Sequence, residues 1–169
     1  MKHHARFVFA STALACGGLL GYAYYLEIYA HLEPCPMCIF QRLCYAAIMV
    51  IALSGAAHAP RRVGVYVYSG FILVAAAIGT AIAARQVWLQ HLPADRVPAC
   101  GPGLEYMLEA LPLAEVIKNA LRGTGECALV EWTLLGLSMA EWSLGCFAAC
   151  AIAYLVFITR CARGAASSF

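Results

Sequence analysis

The sequence predicts an all-α membrane protein in which four transmembrane helices form a bundle and one long loop carries a short amphipathic helix. Hydrophobic residues occupy 63% of the 169 positions and the mean hydropathy is +0.77, whereas soluble domains are roughly 45–50% apolar. Four apolar runs each approach the roughly 20 residues that a helix needs to cross a bilayer. A single, more polar stretch of about 90–141 separates the third run from the fourth.

The apolar runs give the order of the elements. The predicted spans cover about 7–25, 43–59, 63–84 and 142–159. The first run continues for nine residues beyond Cys16, which favours an uncleaved span over a secretion signal. Pro60 ends the second span and predicts a tight hairpin to the third. We therefore expect a single membrane domain, 1–169, with both termini on one side.

Positive charges assign an orientation to the spans. Six of the eleven Lys and Arg residues lie at the termini and in the hairpin turn: Lys2, Arg6, Arg61, Arg62, Arg160 and Arg163. The positive-inside rule makes that side cytoplasmic. The outer side then carries a short segment, about 31–38, and the long one, about 90–141. A net charge of only +2 offers no basic face for nucleic acid.

The long outer segment contains an amphipathic stretch. Apolar residues recur at helical spacing from Leu104 to Leu121, opposite charged residues such as Glu109 and Lys118. Pro112 divides this stretch into two short helices. The helices can lie on the bilayer surface or pack against the bundle, and the pattern favours neither.

The first cysteine motif on the outer side is Cys35-Pro36-Met37-Cys38, just before the second span. Two intervening residues allow a reversible disulfide, and a helix N-terminus stabilises a thiolate. The same spacing supplies half of a zinc site. The motif alone favours redox exchange over metal binding.

Cys100 and Cys127 are the other two cysteines on the outer side, each beside glycine. A disulfide between them can be a structural staple or an exchangeable bond, and the sequence leaves both open. The remaining five cysteines lie in spans or on the cytoplasmic side, and we expect them to act as small buried hydrophobic residues. They are Cys16, Cys44, Cys146, Cys150 and Cys161.

Polar residues near the predicted helix ends are the other candidates for the site. Arg42 follows Cys38 by four residues, so on a helix it shares that face and can attract a thiolate or a ligand oxygen. An ordinary interfacial arginine fits its position equally well. The same two interpretations hold for Arg85 and Gln86, while His91 is expected to be solvated.

Motif order along nearly the whole chain points to one family. The motifs are Pro34-Cys35-Pro36-Met37-Cys38 with Gln41-Arg42, Leu89-Gln90-His91-Leu92-Pro93, Cys100, Cys127-Ala128 with Trp132, and Leu135-Gly136-Leu137-Ser138-Met139 before Trp142. Together with four spans, this arrangement resembles the disulfide bond formation protein B (DsbB) family of bacterial inner membranes. One departure is Arg85-Gln86, where some relatives have a Glu-His pair.

The resemblance implies a relay of electrons. A reduced periplasmic DsbA-like oxidase attacks a disulfide between Cys100 and Cys127, with Cys100 taking part in the mixed disulfide. Cys127 then exchanges with Cys35, and the freed Cys38 thiolate reduces a bound quinone, either ubiquinone or menaquinone. Arg42 holds the quinone oxygen.

The implied enzyme is a protein dithiol:quinone oxidoreductase of the bacterial inner membrane. Its termini are cytoplasmic and its long loop is periplasmic. Gln86 is a second candidate for the quinone site, and no metal is expected. The rival function is a membrane metal-binding protein that uses the four outer cysteines as ligands. An oxidising outer compartment favours disulfides over such a thiolate cage.

Overall fold

A computed structural model describes residues 2–60, 62–99 and 104–166 of the chain. Its four long helices are α1 (Lys2–Ala30), α2 (Pro36–His58), α3 (Arg62–Gln90) and α7 (Met139–Ala166). Each is long and apolar enough to cross a bilayer. The predicted fold class, a four-span helical membrane protein, is confirmed.

The long helices extend beyond the predicted spans. The second begins at Pro36 rather than near 43, and the third ends at Gln90 rather than near 84. Hydropathy detects only the apolar part of a helix, whereas backbone hydrogen bonding continues through polar turns at its ends. As a result Cys38 lies inside the first turn of α2, and Gln86 lies on α3 rather than after it.

Three helix pairs form the bundle, in which α2 packs against α1 and α3, and α3 packs against α7. At the end near the α2–α3 turn, here called the hairpin end, α2 stops at His58 and Ala59 adopts the left-handed cap conformation with φ 43°. Phe9, Tyr154 and Phe157 form a buried aromatic cluster there. The opposite end, which bears Cys35 and Cys38, is the cysteine end.

Three short helices follow α3 at the cysteine end: α4 (Leu104–Ala110), α5 (Leu113–Arg122) and α6 (Gly125–Ala128). Pro112 is the residue before α5, so the predicted division is confirmed. Because α5 contacts α2 and buries Val116 and Ala120, it packs against the bundle. Its other apolar side chains, Leu113, Ile117 and Leu121, are exposed.

A small hairpin precedes the last helix, and the sequence pattern gave no sign of it. Strands β1 (Thr133–Leu134) and β2 (Leu137–Ser138) pair antiparallel, and two-residue strands are too short for a visible alternation. Its turn residues, Leu135 and Gly136, have φ of 56° and 81°, as a primed hairpin turn requires. Ser138 and Glu141 then cap α7 reciprocally, through bonds of 2.7 and 3.2 Å.

Candidate thiol exchange site

The first cysteine pair lies at the start of α2. Cys35 precedes the helix, with φ −64° and ψ 161°, and Pro36 is its first residue. Proline suits this position because its fixed φ matches the helix and its missing N–H would have no intrahelical partner. The Sγ atoms of Cys35 and Cys38 lie 3.0 Å apart, and both are free thiols. The pair sits where unpaired helix N–H groups favour a thiolate.

A third sulfur joins this pair. Cys127 lies on α6, which packs against α2 and α3, and its side chain is fully buried. Its side chain packs against Cys35 and Met37 in one buried cluster, and its sulfur lies 3.7 Å from Thr124 Oγ1. Three of the four cysteines predicted to react therefore meet at one point.

The fourth predicted cysteine, Cys100, lies outside the described residues. The residue before it, Ala99, accepts a hydrogen bond through its carbonyl from the N–H of Gly125 at 3.3 Å. This contact holds the segment that leads to Cys100 against the start of α6. A disulfide between Cys100 and Cys127 stays a prediction.

Hydrogen bonds shift the pKa values of Cys127 and Cys35 in opposite directions. Donation from the Cys35 thiol is the main cause that lowers the pKa of Cys127 to about 6, and the N–H of Met37 and Thr124 act in the same direction. The same contact raises the pKa of Cys35, since a donating thiol retains its proton. In the fully reduced form, these shifts favour the thiolate at Cys127 and the protonated thiol at Cys35.

Two buried glutamines, Gln86 on α3 and Gln41 on α2, lie beside the first pair. Gln86 Nε2 lies 3.4 Å from the Sγ of Cys35 and 3.3 Å from that of Cys38. Gln41 Nε2 donates to Gln86 Oε1 at 2.6 Å, which fixes the Gln86 amide with its N–H groups towards the sulfurs. Both side chains are at most 4% exposed. A fixed N–H donor stabilises the Cys38 sulfur when it carries negative charge.

The Arg42 guanidinium lies one turn further along α2. It forms an ion pair with the Glu27 carboxylate on α1, and its Nη2 donates to the carbonyl of Ala23 at 3.4 Å. The guanidinium also lies 5.0 Å from the centre of the Tyr24 ring. Three groups of α1 therefore orient this guanidinium, and no sequence pattern indicated its carboxylate partner.

A cavity of about 880 Å³ opens beside the sulfurs, between α1, α2 and α7 and against the loop residues 126–134. Its polar wall contains the sulfurs of the first pair, the two glutamines and the Arg42–Glu27 pair. The apolar wall includes Leu19, Leu20, Leu26, Tyr45, Leu129, Met139 and Trp142. The cavity thus combines polar and charged side chains, among them Glu33, Glu126 and Glu131, with an apolar lining that comes mainly from the long helices.

The family model described as Disulfide bond formation protein DsbB matches residues 5–157. The chain belongs to the DsbB family. A relative named Disulfide bond formation protein B, from Hahella chejuensis, is 50% identical over 142 residues, which cover 84% of this chain and 86% of that protein. Another, from Azoarcus sp., is 46% identical over 152 residues, covering 90% and 91%. A third, from Marinobacter nauticus, is 49% identical over 139 residues, covering 82% and 83%.

Membership confirms the family predicted from the motifs and assigns this DsbB-family chain to disulfide bond formation. It also agrees with a multi-pass membrane protein in which the four long helices are the spans. The individual roles predicted for Cys35, Cys38, Cys100, Cys127 and Arg42 stay predictions. The structure gives the geometry described above for each of these residues except Cys100.

Several residues near the site have other partners. Arg85 is exposed; it donates to the carbonyl of Arg122 at 3.1 Å and does not touch the sulfurs. His91 is exposed, as expected, and its Nδ1 lies 2.8 Å from the carbonyl of Val87. Trp132 contacts the Tyr22 ring edge to face, with the ring centroids 6.0 Å apart. Of the Arg85-Gln86 pair, only the glutamine reaches the cysteines.

The remaining cysteines of this DsbB-family chain lie within the long helices. Cys16 is buried, and the other four are half-buried and pack against the apolar core: Cys44, Cys146, Cys150 and Cys161. Among the side chains that the structure describes, no group of three or more His, Cys, Asp or Glu is arranged as a metal site. The predicted four-cysteine metal cage includes Cys100 and so lies partly outside them.

Proposed function

We propose that this protein is a quinone-linked thiol:disulfide oxidoreductase that reoxidises a periplasmic DsbA-like dithiol oxidase. One arrangement carries the proposal: Cys127 packs against Cys35 and Cys38, and these two line a cavity formed by the long helices and residues 126–134. Such a cluster allows thiol exchange on one side and contact with a lipid-soluble oxidant on the other. Family membership supports the disulfide-forming chemistry.

The relay begins at the loop. A thiolate of the reduced partner attacks Cys100 in the Cys100–Cys127 disulfide, so that a mixed disulfide forms and Cys127 leaves as a thiolate. The second partner thiol then resolves the mixed disulfide, and the partner departs oxidised. Two electrons have entered the protein at this point.

Internal exchange moves the electrons to the membrane. The Cys127 thiolate attacks the Sγ of Cys35 in the Cys35–Cys38 disulfide; a Cys127–Cys35 bond forms and Cys38 leaves as a thiolate. During this step Cys35 has no proton to donate, so the N–H of Met37 and the Thr124 side chain stabilise the attacking sulfur. The Gln86 amide is placed to stabilise the sulfur that leaves.

The 880 Å³ cavity suits a quinone, because Cys38 and Arg42 line it together with apolar side chains of the long helices. Attack of Cys100 on Cys127 would restore the Cys100–Cys127 disulfide and release Cys35. A bound ubiquinone or menaquinone would then take two electrons from Cys35 and Cys38, whose disulfide re-forms, and with two protons would leave as quinol. Arg42 would hold the quinone oxygen, with its guanidinium oriented by Glu27. In the structure, the Gln86 amide contacts the two sulfurs of the first pair. The predicted contact of Gln86 with the quinone would be a second role of the same amide.

We place the protein in the bacterial inner membrane with both termini cytoplasmic. The excess of Lys and Arg at the termini and in the α2–α3 turn supports this orientation. The cysteine end then faces the periplasm, which is the oxidising compartment where a DsbA-like partner works.

The test is quinone reduction by the purified protein in detergent, driven by a reduced DsbA-like partner. We expect Cys38→Ser to lower turnover by at least about 100-fold, because it removes the sulfur nearest the quinone. Cys161→Ser, which changes a half-buried thiol far from the site, should turn over like the wild type. Equal rates for Cys38→Ser and Cys161→Ser would contradict the proposal, and so would stoichiometric bound zinc without turnover.

A further inference from the structure

A second cavity, of about 470 Å³, lies at the cysteine end between the last turns of α3 and the short helices. It is separate from the sulfurs. Its polar lining is Arg85, Asn119, Arg122 and Thr124, and its other lining residues are Pro98, Met107, Leu111 and Gly123. The disulfide relay uses none of the first three polar side chains.

The described charged side chains that line this cavity are both positive. Among its described lining residues, two carry a guanidinium and none carries a carboxylate. Among the described side chains, the ion pair between Arg42 and Glu27 is the only one, so neither arginine of the cavity is neutralised by a described carboxylate. Arg85 donates to the backbone carbonyl of Arg122 at 3.1 Å and lies 4.2 Å from the centre of the Trp88 ring, and both of these partners are neutral. The cavity therefore favours an anion, and guanidiniums match phosphate in particular.

The position of the cavity selects the source of that anion. Arg85 and Trp88 lie in the last two turns of a membrane-spanning helix, and Trp88 is about half exposed, as in the aromatic belt at a membrane interface. At this depth the nearest phosphates are those of lipid headgroups. Met107 and Leu111 add an apolar wall against which the start of an acyl chain can lie.

We infer that this cavity binds the phosphate of an anionic phospholipid, held by Arg85 on α3 and Arg122 on α5. The Asn119 amide adds a neutral donor. A net-negative headgroup is selected because the ammonium group of a zwitterionic lipid would be repelled by the second guanidinium. The bound lipid links α5 to α3 next to Thr124, and thereby holds the segment that carries Cys127.

The experiment is lipid retention by the purified full-length protein. The wild type in detergent is incubated with an equimolar mixture of phosphatidylglycerol and phosphatidylcholine, repurified, and its bound lipid is counted by mass spectrometry. We expect about one phosphatidylglycerol per chain and at least about a tenfold preference over phosphatidylcholine. The double variant Arg85→Gln/Arg122→Gln should lose that preference.

Lys118→Gln is the matched control, because it removes one exposed positive charge from the same helix, one turn before Arg122 and outside the cavity. It should retain the wild-type preference. Arg122→Gln alone keeps the backbone carbonyl to which Arg85 donates, so this single variant should remain folded, as its thermal transition will report.

A second arm separates a lipid from a free anion. Short-chain phosphatidylglycerol should raise the thermal transition of the wild type, whereas sodium phosphate at the same concentration should not. A full shift with sodium phosphate would overturn the lipid assignment in favour of a free-anion site. Equal retention of the two lipids, or the same loss of preference in Lys118→Gln as in the double variant, would overturn the site itself.

Discussion

The two ends of the bundle are held together by different forces. At the hairpin end, Phe9 and Tyr154 are at most 2% exposed and pack with Phe157 in tilted and edge-to-face contacts. Glycine at position 55 gives the Phe9 ring room, since a Cβ there would lie 3.1 Å from it. At the cysteine end, amide–sulfur hydrogen bonds and one ion pair join a small apolar cluster of Met37, Ile82 and Leu89, beside the 880 Å³ cavity.

This difference separates stability from reactivity. Close packing of aromatic rings has few alternative arrangements, so the hairpin end fixes how α1, α2 and α7 approach one another. Hydrogen bonds to sulfur can be exchanged when a disulfide forms or breaks, and a cavity leaves room for a ligand. Substitutions at the two ends should therefore alter different measurements, and the predictions below go from the largest expected effect to the smallest.

Cys127→Ser should give the largest loss at the cysteine end. Without the Cys127 sulfur, no thiolate can attack Cys35, so quinone reduction driven by a DsbA-like partner should fall by at least about 100-fold. Reduction driven by a small dithiol, which can reach the first pair directly, should persist. Loss of both activities, with the thermal transition unchanged, would show that Cys127 serves the first pair in another way.

Phe9→Ala should give the largest loss at the hairpin end. The fully buried ring contacts Tyr68, Tyr154 and Phe157, and its removal leaves a cavity that should lower the free energy of unfolding by about 3 kcal/mol. Thermal denaturation in detergent measures this change, and turnover per folded molecule should stay at the wild-type value. A fall in turnover as large as the fall in stability would mean that the two ends are coupled.

Gln86→Leu tests the hydrogen bonds to the first pair. Removing an N–H donor from a charged sulfur costs about 1.5 kcal/mol, which corresponds to roughly a tenfold slower internal exchange, measured by rapid-quench alkylation. Gln41→Leu should have a smaller effect, because the Gln86 amide remains but is free to rotate. Wild-type exchange in Gln86→Leu would remove this amide from the mechanism.

The smallest effect concerns pH. The thiolate of Cys127 in the fully reduced protein should form around pH 6, measured as the ultraviolet thiolate absorbance that Cys127→Ser lacks. Because protonation increases as pH falls through a pKa of about 6, this absorbance should drop about fourfold between roughly pH 7 and 5.5. A midpoint near the ordinary thiol value would show that Cys35 does not donate to Cys127.

The sequence predicts features that lie within one short stretch of the chain better than contacts between helices. Each span shows in the hydropathy of its own residues, and Cys35 with Cys38 forms a local motif, so the fold and the first pair follow from short stretches. The contacts of Glu27 with Arg42 and of Gln41 with Gln86 join different helices. Only the packing of those helices reveals these two contacts. A glutamine in an apolar run does not indicate which residue of another helix it will contact.

The loop illustrates the same limit. The glycines near Cys100 and Cys127 gave no sign of burial, yet Cys127 is fully buried against α2 and α3. The composition of its neighbours describes the local backbone, whereas burial depends on where α6 packs. For the same reason the two guanidiniums of the second cavity, on α3 and α5, appear unrelated in the sequence.

The proline that starts α2 places one constraint on any attempt to tune the redox potential. Pro36 and Met37 are the spacer between the two cysteines and also the first two residues of a membrane-spanning helix. The Cys35 carbonyl already accepts the first helical hydrogen bond, from the N–H of Ile39 at 3.2 Å. An exchange of this dipeptide for that of another oxidoreductase would therefore change the potential and the insertion depth of the helix together, and the two properties cannot be optimised as independent variables.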